Sequence, residues 1–96
     1  MSATDEVRHN EAARRYELTT DGQRSVADYD LRAGRAVFSH TFVPPELRGR
    51  GLAEELVRFA LADARKRGWR VVPQCSYVAR FIERHAEFQD LLARPD

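Results

Sequence analysis

The sequence has a single cysteine, Cys75, among its 96 residues. One cysteine excludes an intrachain disulfide, and because no Cys/His cluster accompanies it, a structural zinc site is disfavoured. We therefore expect no metal and a location in the reducing cytoplasm.

The sequence also lacks any stretch near the roughly 18 apolar residues that a membrane span needs, and its N-terminus shows no secretory signal pattern. A membrane is therefore not an expected partner.

Charge of one predominant sign is also missing. Charged residues make up 32% and hydrophobic residues 43% of the chain, and the formal net charge is +1. This balance is typical of a globular domain and does not indicate a nucleic-acid partner. The length fits one domain, residues 1–96, with a single core. The polar start has no sustained apolar period, so we expect residues 1–8 to be disordered and His9-Asn10 to form a turn.

Three consecutive segments have the period of two that strands show: the first two alternate apolar and polar residues, as half-buried strands do, whereas the third has apolar residues on both faces, as a central strand does. They cover residues 14–20, 24–31 and 35–43, and Asp21-Gly22 and Ala33-Gly34 supply the turns between them. In the third segment this period places four side chains on one face: Ala36, Phe38, His40 and Phe42. We expect an antiparallel meander whose third strand is central.

After the three predicted strands, the apolar residues change to the spacing of an amphipathic helix. Apolar residues recur at this spacing from Leu52 onward, and Gly68 ends the helix because glycine accepts a left-handed conformation. Residues 69–72 form a short strand, and the helix before it is long enough for parallel pairing with the third strand. Ser76 can cap a second helix that runs to about His85. The expected fold class is α/β, with the meander followed by a β-α-β unit and a C-terminal helix.

Residues 48–53 read Arg-Gly-Arg-Gly-Leu-Ala and open the first helix; we call this segment the Arg-Gly loop. Glycines let a ligand approach the backbone, the first amides of a helix lack intrahelical acceptors, and the helix dipole and arginine side chains favour negative charge. The loop has neither the lysine and Ser/Thr of a P-loop nor the G-x-G-x-x-G of a dinucleotide fold. It indicates a diphosphate-binding loop or, alternatively, a flexible basic turn.

The loop also resembles a family signature. The pattern Arg48-x-x-Gly51-x-Ala53, between a strand and a helix, is similar to the acetyl-coenzyme A signature of the GNAT acetyltransferase superfamily. Residues 71–79 and 81–90 resemble short GNAT-like proteins of the YidJ or NATD1-like type. The resemblance implies a minimal GNAT-like fold and acetyl transfer from acetyl-coenzyme A to an amine of a small molecule or a protein, by a monomer or a homodimer.

The same resemblance implies where coenzyme A binds. Its diphosphate is expected on the Arg-Gly loop, at Arg48, Gly49, Arg50, Gly51, Leu52 and Ala53. Its pantetheine arm is expected along the backbone of Phe42 and Val43. The tyrosine that often donates a proton in the superfamily falls on Ile82 or Glu83 in this sequence. That role therefore does not carry over.

Two side chains are candidates for catalysis. Cys75 precedes the second helix, whose N-terminus lowers a thiol pKa and favours attack on the acetyl group or assistance to the leaving thiol; alternatively, it fills a strand–helix corner. His40, on the third strand, can act as a general base or, alternatively, is a hydrogen-bonded residue of the sheet.

Two other functions stay open. Because the tyrosine donor is missing, the main rival is a non-catalytic coenzyme A-binding or protein-interaction module. A small nucleic-acid-binding protein is a third possibility.

Overall fold

The computed structural model describes residues 6–93. In chain order, the elements of this part are β1 (Val7–Asn10), β2 (Arg15–Thr20), β3 (Gln23–Arg32), β4 (Arg35–Phe42), a 3-10 turn (Pro45–Leu47), α1 (Leu52–Arg67), β5 (Arg70–Pro73), α2 (Ser76–Arg84) and a 3-10 helix (Ala86–Leu91). Within these residues, no helix is both long and apolar enough to cross a membrane.

The strands form one sheet in the order β1-β2-β3-β4-β5. β1 to β4 are antiparallel neighbours, whereas β5 pairs in parallel with β4 after the crossover through α1. The hairpin turns fall at Asp21-Gly22 and Ala33-Gly34, where all four φ angles are positive, from 51° to 77°. Such turns match the twist of the flanking strands. The predicted α/β class, a meander followed by a β-α-β unit, is confirmed.

β1 is a fourth antiparallel strand that the sequence pattern does not predict. It pairs with β2, and His9 lies opposite Tyr16. The predicted turn at His9-Asn10 is therefore wrong, and the chain turns over residues 11–14 instead. β1 also occupies the last two positions of the region expected to be disordered, of which residues 1–5 lie outside the described part. A polar edge strand meets the core on one face only, so it carries no apolar run to detect.

Both helices pack on the same face of the sheet. The buried residues of α1 are Leu52, Leu56, Val57, Ala60, Leu61 and Ala64, and those of α2 are Val78, Phe81 and Ile82. All of them belong to one core cluster with the inward side chains of the strands. Gly68 ends α1 as predicted, with φ 75° and its N–H donating to the carbonyls of Ala64 and Arg65. The other face of the sheet carries no helix within residues 6–93.

β4 contains a bulge near its middle. Tyr29 of β3 lies opposite Phe38, but Asp28 lies opposite His40, so Ser39 is an extra residue on β4. A bulge leaves one residue unpaired and lets the side chains beyond it change face.

The bulge decides which side chains of β4 face the helices. Thr41 lies opposite Ala27, which is fully buried, and therefore faces the helix side. His40 and Phe42 face the open side of the sheet. The prediction that they share a face with Phe38 is wrong, because strict alternation cannot register an inserted residue.

α2 begins differently from the prediction. Cys75 occupies the N-cap position, with φ −72° and ψ 128°, and Ser76 is the first helical residue. Neither a hydroxyl nor a carboxylate caps this helix. The predicted cap by Ser76 is therefore wrong, and the start of α2 presents its backbone amides beside a thiol.

Candidate functional site

β4 and β5 pair along only half of β4. The ladder ends at Phe38 opposite Pro73, and the N–H of Cys75 then donates to the Phe38 carbonyl at 2.9 Å. Beyond this bond β4 continues to Phe42, whereas the chain after β5 turns into α2. In the described part of the chain, the edge of β4 that faces away from β3 therefore has no neighbouring strand here. Apart from the Thr41 N–H, which bonds to the Cys75 sulfur, and the Val43 carbonyl, which accepts from Arg48, the backbone groups of this edge can pair with an extended ligand.

The Arg-Gly loop lies at the end of this opening. Gly49 and Gly51 have φ angles of 85° and 79°, in the left-handed region that favours glycine. The first helical bond of α1 runs from the N–H of Glu55 to the Gly51 carbonyl at 3.1 Å, so the amides of residues 52–54 precede it and have no intrahelical acceptor. A cavity of about 350 Å³ beside them is lined by Val43, Leu47, Arg48, Gly49, Gly51, Leu52, Ala53, Glu54 and Tyr77. The loop combines free donors with space for a ligand.

The two arginines of the loop point in different directions. Arg48 lines the cavity, and its Nε donates to the Val43 carbonyl at 2.9 Å. Its guanidinium carbon is 5.9 Å from the centre of the Phe42 ring. Arg50 extends instead to Asp21, with Nη1 3.2 Å from Oδ2. One of the two expected cationic ligands is therefore at the cavity, and the other is directed away from it.

Cys75 lies beside the opening between β4 and α2. Its Sγ is 3.5 Å from Oγ1 of Thr41, and its side chain is partly buried. Burial raises the pKa of the thiol, but hydrogen bonding with Thr41 and the backbone N–H groups of Val78 and Tyr77 outweigh burial. The pKa of Cys75 therefore lies below its ordinary value. This direction agrees with the effect expected of a helix N-terminus.

His40 lies on the opposite side of the sheet from Cys75. It is exposed on the open face, with its ring centre 6.4 Å from that of Phe42. The structure therefore does not bring the two candidate catalytic side chains together. No group of three or more His, Cys, Asp or Glu side chains that could hold a metal ion occurs within residues 6–93.

Two residues at the opening are missed by the sequence analysis. Thr41 reaches Cys75 only because of the bulge, for which the sequence has no local signal. Tyr77, on the first turn of α2, is 38% exposed and lines the cavity of the loop. Burial and the nearby Glu54 carboxylate raise the pKa of Tyr77, which keeps its hydroxyl neutral. Of the two positions on which the superfamily tyrosine would fall, Ile82 is 2% exposed in the core and Glu83 is exposed.

Comparison with known proteins identifies related sequences and folds. A family model described as GCN5-related N-acetyl-transferase matches residues 15–91, which include the Arg-Gly loop and Cys75. The NMR solution structure of a GCN5-like putative N-acetyltransferase from Staphylococcus aureus aligns with a TM-score of 0.74 and 20% sequence identity. The alignment covers 98% of this chain and 93% of that chain. At this identity the likeness concerns the fold alone.

Proposed function

The chain belongs to the GCN5-related N-acetyl-transferase family, and from this premise we propose that it transfers an acetyl group from acetyl-coenzyme A to an amine. The observation that carries the proposal is the continuity between the open edge of β4 and the Arg-Gly loop. Val43 follows β4 directly and also lines the cavity of the loop. Coenzyme A has an extended pantetheine arm followed by a diphosphate. The arm would lie along the open edge of β4, and the diphosphate would lie at the Arg-Gly loop that follows it. The acceptor amine belongs to a small molecule or a protein.

The donors at the site fit coenzyme A. The amides of residues 52–54 and the guanidinium of Arg48 suit a diphosphate. Each charge-assisted hydrogen bond contributes about 1.5–3 kcal/mol and the helix dipole about 0.3–1 kcal/mol, so the number of donors decides the affinity. The amides of the pantetheine arm would pair with the backbone of Phe42 and Val43 as an added strand. Arg50, directed to Asp21, contributes charge rather than a direct contact.

Acetyl transfer to an amine requires a group that takes a proton from the ammonium and a group that protonates the leaving sulfur. Acetyl-coenzyme A supplies the activated thioester when it is bound. We assign protonation of the leaving sulfur to Cys75, because its thiol lies at the opening and its lowered pKa eases release of the proton. We assign removal of the proton from the ammonium to His40. Its exposed imidazole lies on the helix-free face of the sheet, one residue before Thr41. Placed on opposite faces of β4, the two groups serve two different protons.

A second candidate function is a non-catalytic coenzyme A-binding or protein-interaction module. It is favoured by the missing tyrosine donor, because the corresponding position falls on Ile82, which is buried, or on Glu83, and neither is a tyrosine. For either function, we propose a cytoplasmic monomer or homodimer of the short YidJ or NATD1-like subtype, without a nucleic-acid or membrane partner.

Thiol release with a panel of amines, together with calorimetric titration of acetyl-coenzyme A, tests the proposal. Binding with amine-dependent thiol release supports the transferase, whereas binding without release for every amine indicates the module. Absence of binding contradicts both the transferase and a coenzyme A-binding module, and it leaves a protein-interaction module as the remaining function. We expect Cys75→Ala and His40→Ala each to lower kcat about 100-fold or more with little change in coenzyme affinity. Full turnover by either variant would remove that residue from the mechanism.

A further inference from the structure

A second cavity continues the first one along α2. It has a volume of about 150 Å³ and is lined by Glu54, Tyr77, Arg80, Phe81, Arg84 and His85. Glu54 and Tyr77 also line the cavity of the Arg-Gly loop. The two cavities therefore form one cleft that runs from the start of α1 to the C-terminal half of α2.

Two arginines in this cleft lack an acidic partner. Arg80 and Arg84 are exposed, lie about one helical turn apart, and form no ion pair with any of the residues 6–93. Arg58, by contrast, contacts Glu54 and Glu87, each at 3.2 Å, and so offsets the carboxylate of Glu54. Like charges at positions i and i+4 destabilise a helix. An anion bound between the two guanidinium groups would relieve this repulsion.

An aromatic surface lies next to these arginines. Tyr77 is 38% exposed and lines both parts of the cleft. The ring of His85 stacks on Phe81 with centroids 3.9 Å apart, and its Nδ1–H donates to the Phe81 carbonyl at 2.7 Å. These contacts hold one wall of the cleft in place. A flat apolar ring beside a cationic pair suits a base that carries a nearby phosphate.

We propose that Arg80 and Arg84 bind the 3′-phosphate of coenzyme A while its adenine packs against Tyr77. The inference rests on the proposed function, since coenzyme A carries a diphosphate and, separated from it, a phosphomonoester on the ribose. The Arg-Gly loop takes the first, and the guanidinium pair takes the second through bidentate hydrogen bonds. The chain therefore distinguishes coenzyme A from 3′-dephospho-coenzyme A.

Calorimetric titration of the full chain with coenzyme A and with 3′-dephospho-coenzyme A tests this inference. We expect the wild type to bind coenzyme A about tenfold more tightly, as one charge-assisted contact implies. Arg80→Gln and Arg84→Gln should reduce this ratio by weakening only the binding of coenzyme A, and Arg84→Lys should retain part of it. Arg32→Gln removes the same charge from the β3–β4 hairpin and should leave the ratio unchanged.

The outcomes separate the inference from the function on which it rests. Unchanged affinity of the glutamine variants for the dephospho form shows that their folds are intact. Equal binding of both ligands by the wild type, or a preference that survives both glutamine substitutions, overturns the phosphate site and leaves the proposed function standing. Failure to bind either ligand overturns the function itself.

Discussion

The hydroxyl oxygen of Thr41 lies 3.5 Å from the sulfur of Cys75, across the gap where β4 and β5 part. This contact exists because the extra residue Ser39 turns Thr41 toward the helices. Burial alone would raise the pKa of the thiol, and the hydroxyl helps the amides at the start of α2 to bring it below its ordinary value. A backbone irregularity in the sheet thus changes the proton chemistry of a residue on another element.

Thr41→Val should therefore raise the pKa of Cys75. The substitution removes the hydroxyl and keeps the branched shape, so the thiolate loses a hydrogen-bond donor while burial continues to oppose it. The pH dependence of alkylation by iodoacetamide reports this pKa, because the thiolate is the reactive form. The profile should move to higher pH in Thr41→Val and stay in place in Thr19→Val, an exposed threonine of β2. An unmoved profile in Thr41→Val would show that the hydroxyl does not stabilise the thiolate.

Arg48→Ala should weaken the binding of acetyl-coenzyme A more than Arg50→Ala does. Arg48 lines the cavity, so its loss removes a charge-assisted donor and should cost about tenfold or more in Kd. Arg50 is paired with Asp21 at the surface, and its loss should change Kd by less than about threefold. Titration calorimetry of the two variants, which carry the same change in charge, gives the comparison. A larger effect at Arg50 would mean that its side chain leaves Asp21 to contact the ligand.

Most of the fold is predictable because its signals are local. The alternation in residues 14–20 and 24–31, the left-handed turn residues and the helical spacing that ends at Gly68 each depend on neighbours along the chain. β1 escapes prediction because its pairing with β2, rather than its own polar sequence, makes it a strand. The sequence can indicate that β5 pairs in parallel with β4, because the connecting helix is long enough for a crossover.

The site is less predictable because its geometry depends on contacts between elements. The amides of the Arg-Gly loop follow from the glycines and the helix start, both visible in sequence. The sheet faces on which His40 and Thr41 lie are not visible in the sequence, because the inserted residue Ser39 exchanges the two faces for the residues after it. The orientations of Arg50 and Tyr77 also depend on contacts between elements: the pairing of Arg50 with Asp21 brings two separate loops together, and Tyr77 of α2 lines the cavity of the Arg-Gly loop.

Gly51→Ala should separate backbone strain from loss of binding when it is compared with Gly34→Ala. The two glycines have φ angles of 79° and 77°, and an added Cβ at either would meet no atom within 4 Å. Both variants should therefore lose a similar free energy of unfolding, about 1–2 kcal/mol, from the left-handed conformation alone. Urea denaturation measures this loss. Only Gly51→Ala should also weaken coenzyme binding, so an equal loss of binding in Gly34→Ala would mean that the effect is global.

His9 connects the edge strand to α1 through buried polar contacts. Its Nε2 is 2.5 Å from the hydroxyl of Tyr29, and its Nδ1 is 3.3 Å from Oδ2 of Asp63. Its ring stacks on Tyr16, whose hydroxyl donates to the same Asp63 oxygen at 2.7 Å. The His9 side chain is 9% exposed. A proton added to His9 would therefore carry its charge into the packed edge of the core.

The free energy of unfolding should rise with pH below about 6.5 because of His9. Burial and the charge of Arg67 lower the pKa of His9 against the opposing attraction of Asp63 and Glu11. Between this lowered value and the unfolded value of about 6.5, the unfolded chain binds more protons, so stability grows with pH by at most about 1.4 kcal/mol per unit and then levels off. Urea denaturation from about pH 5.5 to about pH 7.5 should show this slope in the wild type and in His40→Asn, but not in His9→Phe. An equal slope in His9→Phe would assign the dependence to another group.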